Sequence, residues 1–303
     1  MNRINGIWLL AFIMLSLASC TDDTHHPADT LSTGTIEIAA DETYKPVIEQ
    51  QLKVFDSSLP DAHVHIRYEA EADCFRDFFD GKVHLLLVTR QLTAAEKQLC
   101  EQKQIAPSSE SLAKDAIAVI VNNASPDSLL GMNELKGILS NTYKKKYTVV
   151  FDNQGSSTVR YVLDSLMGGQ KPSGNVFAAK SNEEVLEYVA KNPDAIGFTG
   201  MSNVSDPAAD SNNTGAFIRT VKVVSIRNDS AQQFYQPYQA YIALKVYPLT
   251  RNLYYINRDS YLGLSRGFAN FLVSPRGQLV FAHAQLFPLK MSIIIRDASI
   301  NNQ

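Results

Sequence analysis

The run Asp152, Asn153, Gln154, Gly155, Ser156, Ser157, Thr158, Val159, Arg160 follows an apolar stretch and carries the residue types that hold an oxyanion. A helix opening at Ser156 presents unpaired backbone N–H groups and a partial positive charge, where phosphate, sulfate or a carboxylate can dock. Gly155 lets the backbone come close, Ser156, Ser157 and Thr158 add hydroxyl donors, and Arg160 could add a fixed cation. No lysine follows the glycine. The run is therefore not the phosphate loop of a nucleotide hydrolase, and its chemistry is binding rather than cleavage. The competing reading is a plain helix cap, since Ser, Thr and Asn favour helix starts everywhere.

Other residues with chemical potential are sparser. His63 and His65 stand at strand spacing and share a face, so they could ligate a metal, although a solvated strand face explains them as well. His25 and His26 lie in a polar stretch, Asp22 to Thr33, that reads as a solvated tether. With no evident nucleophile beside a base, the chain is not expected to be an enzyme and no cofactor is expected. Tyr44, Tyr143, Tyr147, Phe198, Tyr254 and Tyr255 could grip a ring or sugar, but core or hinge packing accounts for such aromatics too.

The N-terminus sets the compartment. Arg3, an apolar run from Ile7 to Leu17, and Leu17, Ala18, Ser19, Cys20 have the form of a bacterial lipoprotein signal peptide. Residues 1–19 are expected to be removed and Cys20 to carry the lipid, because the apolar run is too short to span a bilayer. Residues 20–34 then form the tether. A net charge of −3 argues against a general nucleic-acid binder but not against one small anion held locally by N–H groups and hydroxyls. Cys74 and Cys100 are exported with the chain, so a disulfide could persist, yet both fall in helical stretches with apolar neighbours and could equally stay free.

From Thr35 strands alternate with helices. Periodicity predicts strands at Ile36 to Ala40, Val64 to Tyr68, Val83 to Val88, Ala116 to Val121, Val149 to Phe151, Ala195 to Thr199, Tyr241 to Lys245 and Leu253 to Ile256. Helices are predicted at Pro46 to Phe55, Asp73 to Phe79, Thr93 to Gln104, Asn133 to Leu139, Ser156 to Met167, Asn182 to Ala190, Ser260 to Val273 and Pro275 to His283. Thr93 and Glu96 have the spacing of a capping box. Ser202 to Gly215 reads as a surface loop. The alternation argues for an α/β fold with mainly parallel sheets.

Taken in order, the lipobox, DAIAVIVN at Asp115 to Asn122, the GSSTVR turn, AIGFTG at Ala195 to Gly200, VYPLTRNLYYI at Val246 to Ile256 and SPRGQ at Ser274 to Gln278 resemble the phosphate-type solute-binding proteins of ABC transporters. The resemblance covers about residues 35 to 290. It implies a two-lobed periplasmic-binding-protein fold of the second type, with the ligand closed between lobes. Lobe 1 would be discontinuous, residues 35–117 and 239–303, and lobe 2 would be 118–238. It also implies that Thr43 and Tyr44 are the first lobe's ligand-binding threonine and aromatic, and that Ser156, Ser157 and Thr158 match the second lobe's serine-glycine-threonine turn, with serine in the middle position.

Three departures accompany that match. Asp152 stands four residues before Ser156, where many members place an arginine, and a carboxylate there would repel a dianion. Glu69 to Asp73 lacks the usual serine and glycine residues, and Thr89 and Arg90 stand where some members carry an aspartate that accepts a proton from the ligand. Arg90 or Arg160 could restore the missing cation; alternatively Arg90 pairs with Asp41 or Glu42 and Arg160 faces solvent. Arg251 is read as structural, bonding to loop carbonyls.

The resemblance thus implies a monomeric, lipid-anchored receptor that binds phosphate or a related oxyanion through Thr43, Tyr44, Thr89, Arg90, Gly155, Ser156, Ser157, Thr158 and Arg160 and passes it to a permease. The alternative is a surface or signalling protein that keeps the fold and binds another ligand or none.

Overall fold

A computed structural model describes residues 29–206 and 217–291. The expected signal peptide and Cys20 lie outside these residues, as does most of the expected loop after Ser202. Among the described residues no helix is long and apolar enough to cross a membrane.

The chain runs β1 (Gly34–Asp41), α1 (Lys45–Ser58), β2 (Ala62–Glu69), α2 (Glu71–Asp80), β3 (Leu85–Val88), α3 (Ala94–Gln102) and the long β4 (Ser108–Val121). It continues through β5 (Leu129–Leu130), α4 (Met132–Leu139), β6 (Thr148–Phe151), α5 (Ser157–Met167), β7 (Asn175–Ala178), α6 (Asn182–Lys191), β8 (Ala195–Gly200) and α7 (Met201–Val204). Short strands β9 (Lys222–Val223), β10 (Ser225–Asn228) and β11 (Gln233–Tyr235) precede α8 (Gln239–Ala243), β12 (Thr250–Asn257), α9 (Leu264–Val273), α10 (Pro275–His283) and β13 (Phe287–Pro288).

The principal sheet has the order β2-β1-β3-β12-β4-β8-β6-β7. The outer strands of this sheet are parallel: β1 with β2 and β3, and β6 with β7 and β8. The expectation of mainly parallel sheets is corrected at the centre. There β12 runs antiparallel to both β3 and β4, and β4 runs antiparallel to β8, because β4 and β12 carry the chain in opposite directions between the lobes. The result is a mixed sheet in a two-lobed α/β fold.

Strand periodicity explains the first lobe's core. Ile36, Ile38 and Ala40 of β1 with Leu85 and Leu87 of β3 face one buried cluster, together with Val47, Ile48 and Phe55 of α1. Ala39, Leu86 and Val88 face the opposite cluster, with Cys74, Phe75 and Phe78 of α2. Both faces being covered, the strands read as unbroken apolar runs, each buried leucine contributing about 1.5–3 kcal/mol. Cys74 and Cys100 are both buried and free. The capping box at Thr93 and Glu96 forms as its spacing predicts.

The second lobe's cluster begins at Ala116 and includes Ile242, Tyr247 and Leu249. Tyr241 to Lys245 is not a strand: Ile242 N–H bonds back to Tyr238 O in α8, whose end is marked by Lys245 at φ 59°. The tyrosines that suggest a strand instead stack in a cluster, Tyr241 edge-on to Tyr235 and Tyr238.

Candidate functional site

The first lobe's contribution is fixed by β1. Asp41 at its end accepts the Thr43 N–H through Oδ1 at 2.9 Å and caps a single tight turn, Glu42–Tyr44, which leads into α1 with Pro46 in its first turn. The turn buries Thr43 and Tyr44 completely. Opposite, Asn153 accepts the Gly155 N–H at 3.0 Å, and Ser156 caps α5 by accepting the Val159 N–H at 3.2 Å. Ser157 and Thr158 therefore occupy the first helical turn, both fully buried. The Thr43 and Thr158 hydroxyls meet across the lobes at 3.4 Å.

Between them stands Arg251 from β12, 5% exposed. Its Nη1 donates to Ser157 Oγ at 2.8 Å and its Nε to Asp115 Oδ2 at 3.0 Å. Tyr44 OH donates to the same Asp115 oxygen at 3.2 Å, and the Met201 N–H bonds Oδ1 at 3.3 Å. Burial pushes the Tyr44 hydroxyl well above the usual tyrosine range, so it is a proton donor here and not an anion. Arg251 Nη2 has no hydrogen-bond partner among the described residues, and neither has Asp41 Oδ2. A buried guanidinium with a spare donor arm, beside two hydroxyls on a helix N-terminus, is the form of a site for an acceptor carrying negative charge. Gly200 keeps the seam closed: a Cβ there would lie 2.5 Å from Thr43 Cγ2 and 3.4 Å from Arg251 Nη2.

A second set of contacts crosses the cleft nearer the surface. Glu71, at the start of α2, accepts from the Thr89 N–H and hydroxyl, both at 2.7 Å, and from Arg160 Nε at 2.7 Å. Arg160 Nη2 also donates to Thr89 Oγ1 at 2.6 Å. Burial pushes the Glu71 carboxyl up, but the Arg160 charge and the Thr89 donors outweigh it and hold the group below the usual carboxylate range. Arg160 is thus held by Glu71, while 34% of its side chain stays exposed. A cavity of about 360 Å³ lies alongside, lined by Glu71, Arg90, Gly155, Ser156 and Arg160 among others. Arg90 turns its fork to Glu96, at 2.7 and 2.8 Å, and lies 3.6 Å above the Phe75 ring, away from Asp41 and Glu42.

Asp152 is buried behind Ser156. Ser156 Oγ donates to its Oδ1 at 2.5 Å, and Asn182, itself positioned by the Thr199 hydroxyl at 2.7 Å, approaches Oδ2 at 3.4 Å. Burial, opposed by the Ser156 hydrogen bond, pushes its carboxyl up to about 7.

The family profile described as "PBP superfamily domain" matches residues 26–276. The chain belongs to this superfamily. Protein SphX of Synechococcus elongatus is 21% identical over 254 residues, 78% of this chain and 72% of that protein. Its namesake in Synechocystis is 22% identical over 250 residues, 77% and 72% of the two chains. Among solved structures, a substrate-binding protein from Clostridium perfringens with bound phosphate superposes with a TM-score of 0.70 at 18% identity, over 85% of this chain and all of that one. An ABC-type phosphate transport receptor from Vibrio cholerae gives 0.63 at 20% identity, over 84% and 100%. At these identities the structures establish a shared fold, the two-lobed binding-protein architecture.

In this PBP-superfamily chain the fold gathers Thr43, Tyr44, Ser157 and Thr158 around Arg251, and it places Gly155, Ser156, Arg90 and Arg160 on the outer cavity. Thr89 meets Arg160 both directly and through Glu71. Sequence reasoning missed Arg251, Asp115, Asp41 and Glu71. Arg251 does not bond loop carbonyls as expected; its partners are side chains, Asp115 and Ser157. The signal was present, since Asp115 and Arg251 are charges flanking apolar strand residues, which burial tolerates only in pairs.

The chain carries one further pattern of hydrolase type. Gly263, Leu264, Ser265, Arg266, Gly267 has the spacing of a nucleophile elbow, and His84 and Asp259 lie close by. Ser265 is fully buried, however, and its hydroxyl donates to Asp259 at 2.7 Å, as does the His84 ring at 3.0 Å. The hydroxyl and the imidazole both bond the carboxylate and not each other, which is not the serine–histidine–aspartate order of a triad. His65 is likewise committed, to Glu37 at 3.0 Å.

Proposed function

We propose that this chain is a lipid-anchored, extracytoplasmic receptor that captures phosphate or a related oxyanion and delivers it to an ABC-transporter permease. The observation that carries this reading is Arg251: a buried guanidinium with an uncommitted Nη2, flanked by Ser157 and Thr158 at the start of α5 and faced by Thr43 from the other lobe. Four donor-bearing groups from both lobes converge on one place, which is what a tetrahedral anion with four acceptor corners requires. An ion accepting from Thr43 and Thr158 at once would part the two hydroxyls from their direct contact, so capture involves movement of the lobes about the β4 and β12 crossings. The names of the solved relatives, one with bound phosphate and one a phosphate transport receptor, support the same ligand class. Cys20, at the end of the signal-peptide pattern, supplies the anchor.

Isothermal titration with phosphate, sulfate and small carboxylates tests the proposal. One saturable site for an oxyanion is expected; no heat with any of them contradicts it. A second reading, the same fold with a different ligand or none, is favoured by one specific observation. Glu71 already offers a carboxylate to Thr89 and Arg160, two residues otherwise available to an incoming anion.

A further inference from the structure

The charges around the cleft do not suit an anion as they stand. Four buried carboxylates, Asp41, Glu71, Asp115 and Asp152, share the region with Arg251 and Arg160, and a third guanidinium on the outer cavity, Arg90, is committed to Glu96. Asp115 is matched by Arg251 and Glu71 by Arg160. Asp41 and Asp152 have no cation of their own. Asp41 is faced by Glu71 and Cys74 from α2, Arg251 from β12, Ser157 from α5 and Glu42 and Tyr44 of its own turn, and it accepts the Thr43 N–H. Asp152 is faced by Asp41 and Glu42 from the first lobe and Arg251 from β12, with Ser156 and Asn182 on its oxygens. An oxyanion entering beside two unmatched carboxylates in a dry cleft is repelled by both.

Resting on the oxyanion reading above, we infer that capture of the anion is coupled to proton uptake by Asp41 and Asp152, so that ion and protons enter the closed cleft together. The geometry gives the first proton a task. Asp41 Oδ1 is occupied by the Thr43 N–H, while Oδ2 is buried without a partner among the described residues. Protonated at Oδ2, Asp41 becomes one more donor toward the anion in place of a repelling charge. On Asp152 the proton removes the second charge behind the Ser156 cap. Burial already pushes both carboxyls up, Asp152 to about 7. Asp41 and Asp152 thereby act as specificity-determining residues that tie anion affinity to pH.

The test is calorimetric titration of the full chain with inorganic phosphate, and with sulfate as a probe that does not titrate, between pH 5.5 and 8.5 in buffers of different ionisation heat. Affinity is expected to rise as pH falls, by up to about tenfold per pH unit for each proton taken up. Between one and two protons should enter per ion at the alkaline end. D41N and D152N should each lower the uptake and flatten the profile. Because an amide N–H donates where the acid did, D41N should retain affinity at high pH. Thermal melts check that both variants fold. If either anion binds with no proton uptake beyond its own titration, or if uptake is unchanged in both variants, the coupling is wrong while the oxyanion reading stands. If neither anion binds at any pH, the oxyanion reading falls and the coupling falls with it.

Discussion

Arg251→Met is expected to abolish measurable oxyanion capture and to lower the stability of the chain by about 3–5 kcal/mol. Two separate consequences follow from one deletion. The stability loss comes from Asp115, which is fully buried and keeps only Tyr44 OH and the Met201 N–H once the guanidinium is gone. The binding loss comes from Nη2, which would bond the ion, and from Nη1, which holds Ser157; charge-assisted bonds of this kind each contribute about 1.5–3 kcal/mol, or roughly 10- to 150-fold in affinity. The double variant Arg251→Met, Asp115→Asn separates them. Removing the stranded charge should restore most of the denaturation midpoint in urea, while phosphate titration remains flat. Recovery of binding in the double variant would mean that Arg251 only supports the fold.

The second large effect is on the lobes themselves. Arg160→Ala removes the cation that α5 lends to Glu71 across the cleft, and opening then hydrates a carboxylate that closure leaves buried. Losing one charge-assisted pair of about 1.5–3 kcal/mol shifts the closed-to-open ratio by roughly 10- to 150-fold. Small-angle scattering of the ligand-free variant should therefore give a larger radius of gyration than the parent. Glu71→Gln should open it less, since the amide still bonds Arg160 and Thr89 without the charge. An unchanged radius in both would show that the Thr43 and Thr158 contact and the packing at Gly200 hold the lobes alone.

Most of the architecture is legible in the sequence because it rests on local physics. The unbroken apolar runs of β1 and β3, the Thr93 and Glu96 box and the Ser156 cap each announce an element through its own residues. What is not legible is pairing between distant segments. Nothing near Arg251 in the chain reveals that its partners are Asp115 and Ser157, 136 and 94 residues away. Glu71 is hidden for the same reason: its partners Thr89 and Arg160 lie 18 and 89 residues on. The strand expected at Tyr241 fails differently. Its tyrosines suit either period, and packing against Tyr235 and Tyr238 selects the helix. The antiparallel centre of the sheet is likewise a property of how β4 and β12 traverse the lobes and not of either strand's pattern.

The two halves of the first motif also separate in the structure. Ser157 and Thr158 turn inward to Arg251 and Thr43, whereas Gly155, Ser156 and Arg160 line the outer cavity beside Glu71. A helix N-terminus shared in this way presents its innermost donors to the place where both lobes meet, and it leaves Arg160 to close the entrance.

Diffraction from crystals of the chain grown with phosphate tests this arrangement most directly. The expected result is one tetrahedral ion within hydrogen-bond distance of Thr43, Ser157, Thr158 and Arg251 Nη2, with the Thr43 and Thr158 hydroxyls moved apart from 3.4 Å. A phosphate bound elsewhere, or a cleft in which Arg251 Nη2 makes no contact with the ion, would contradict it.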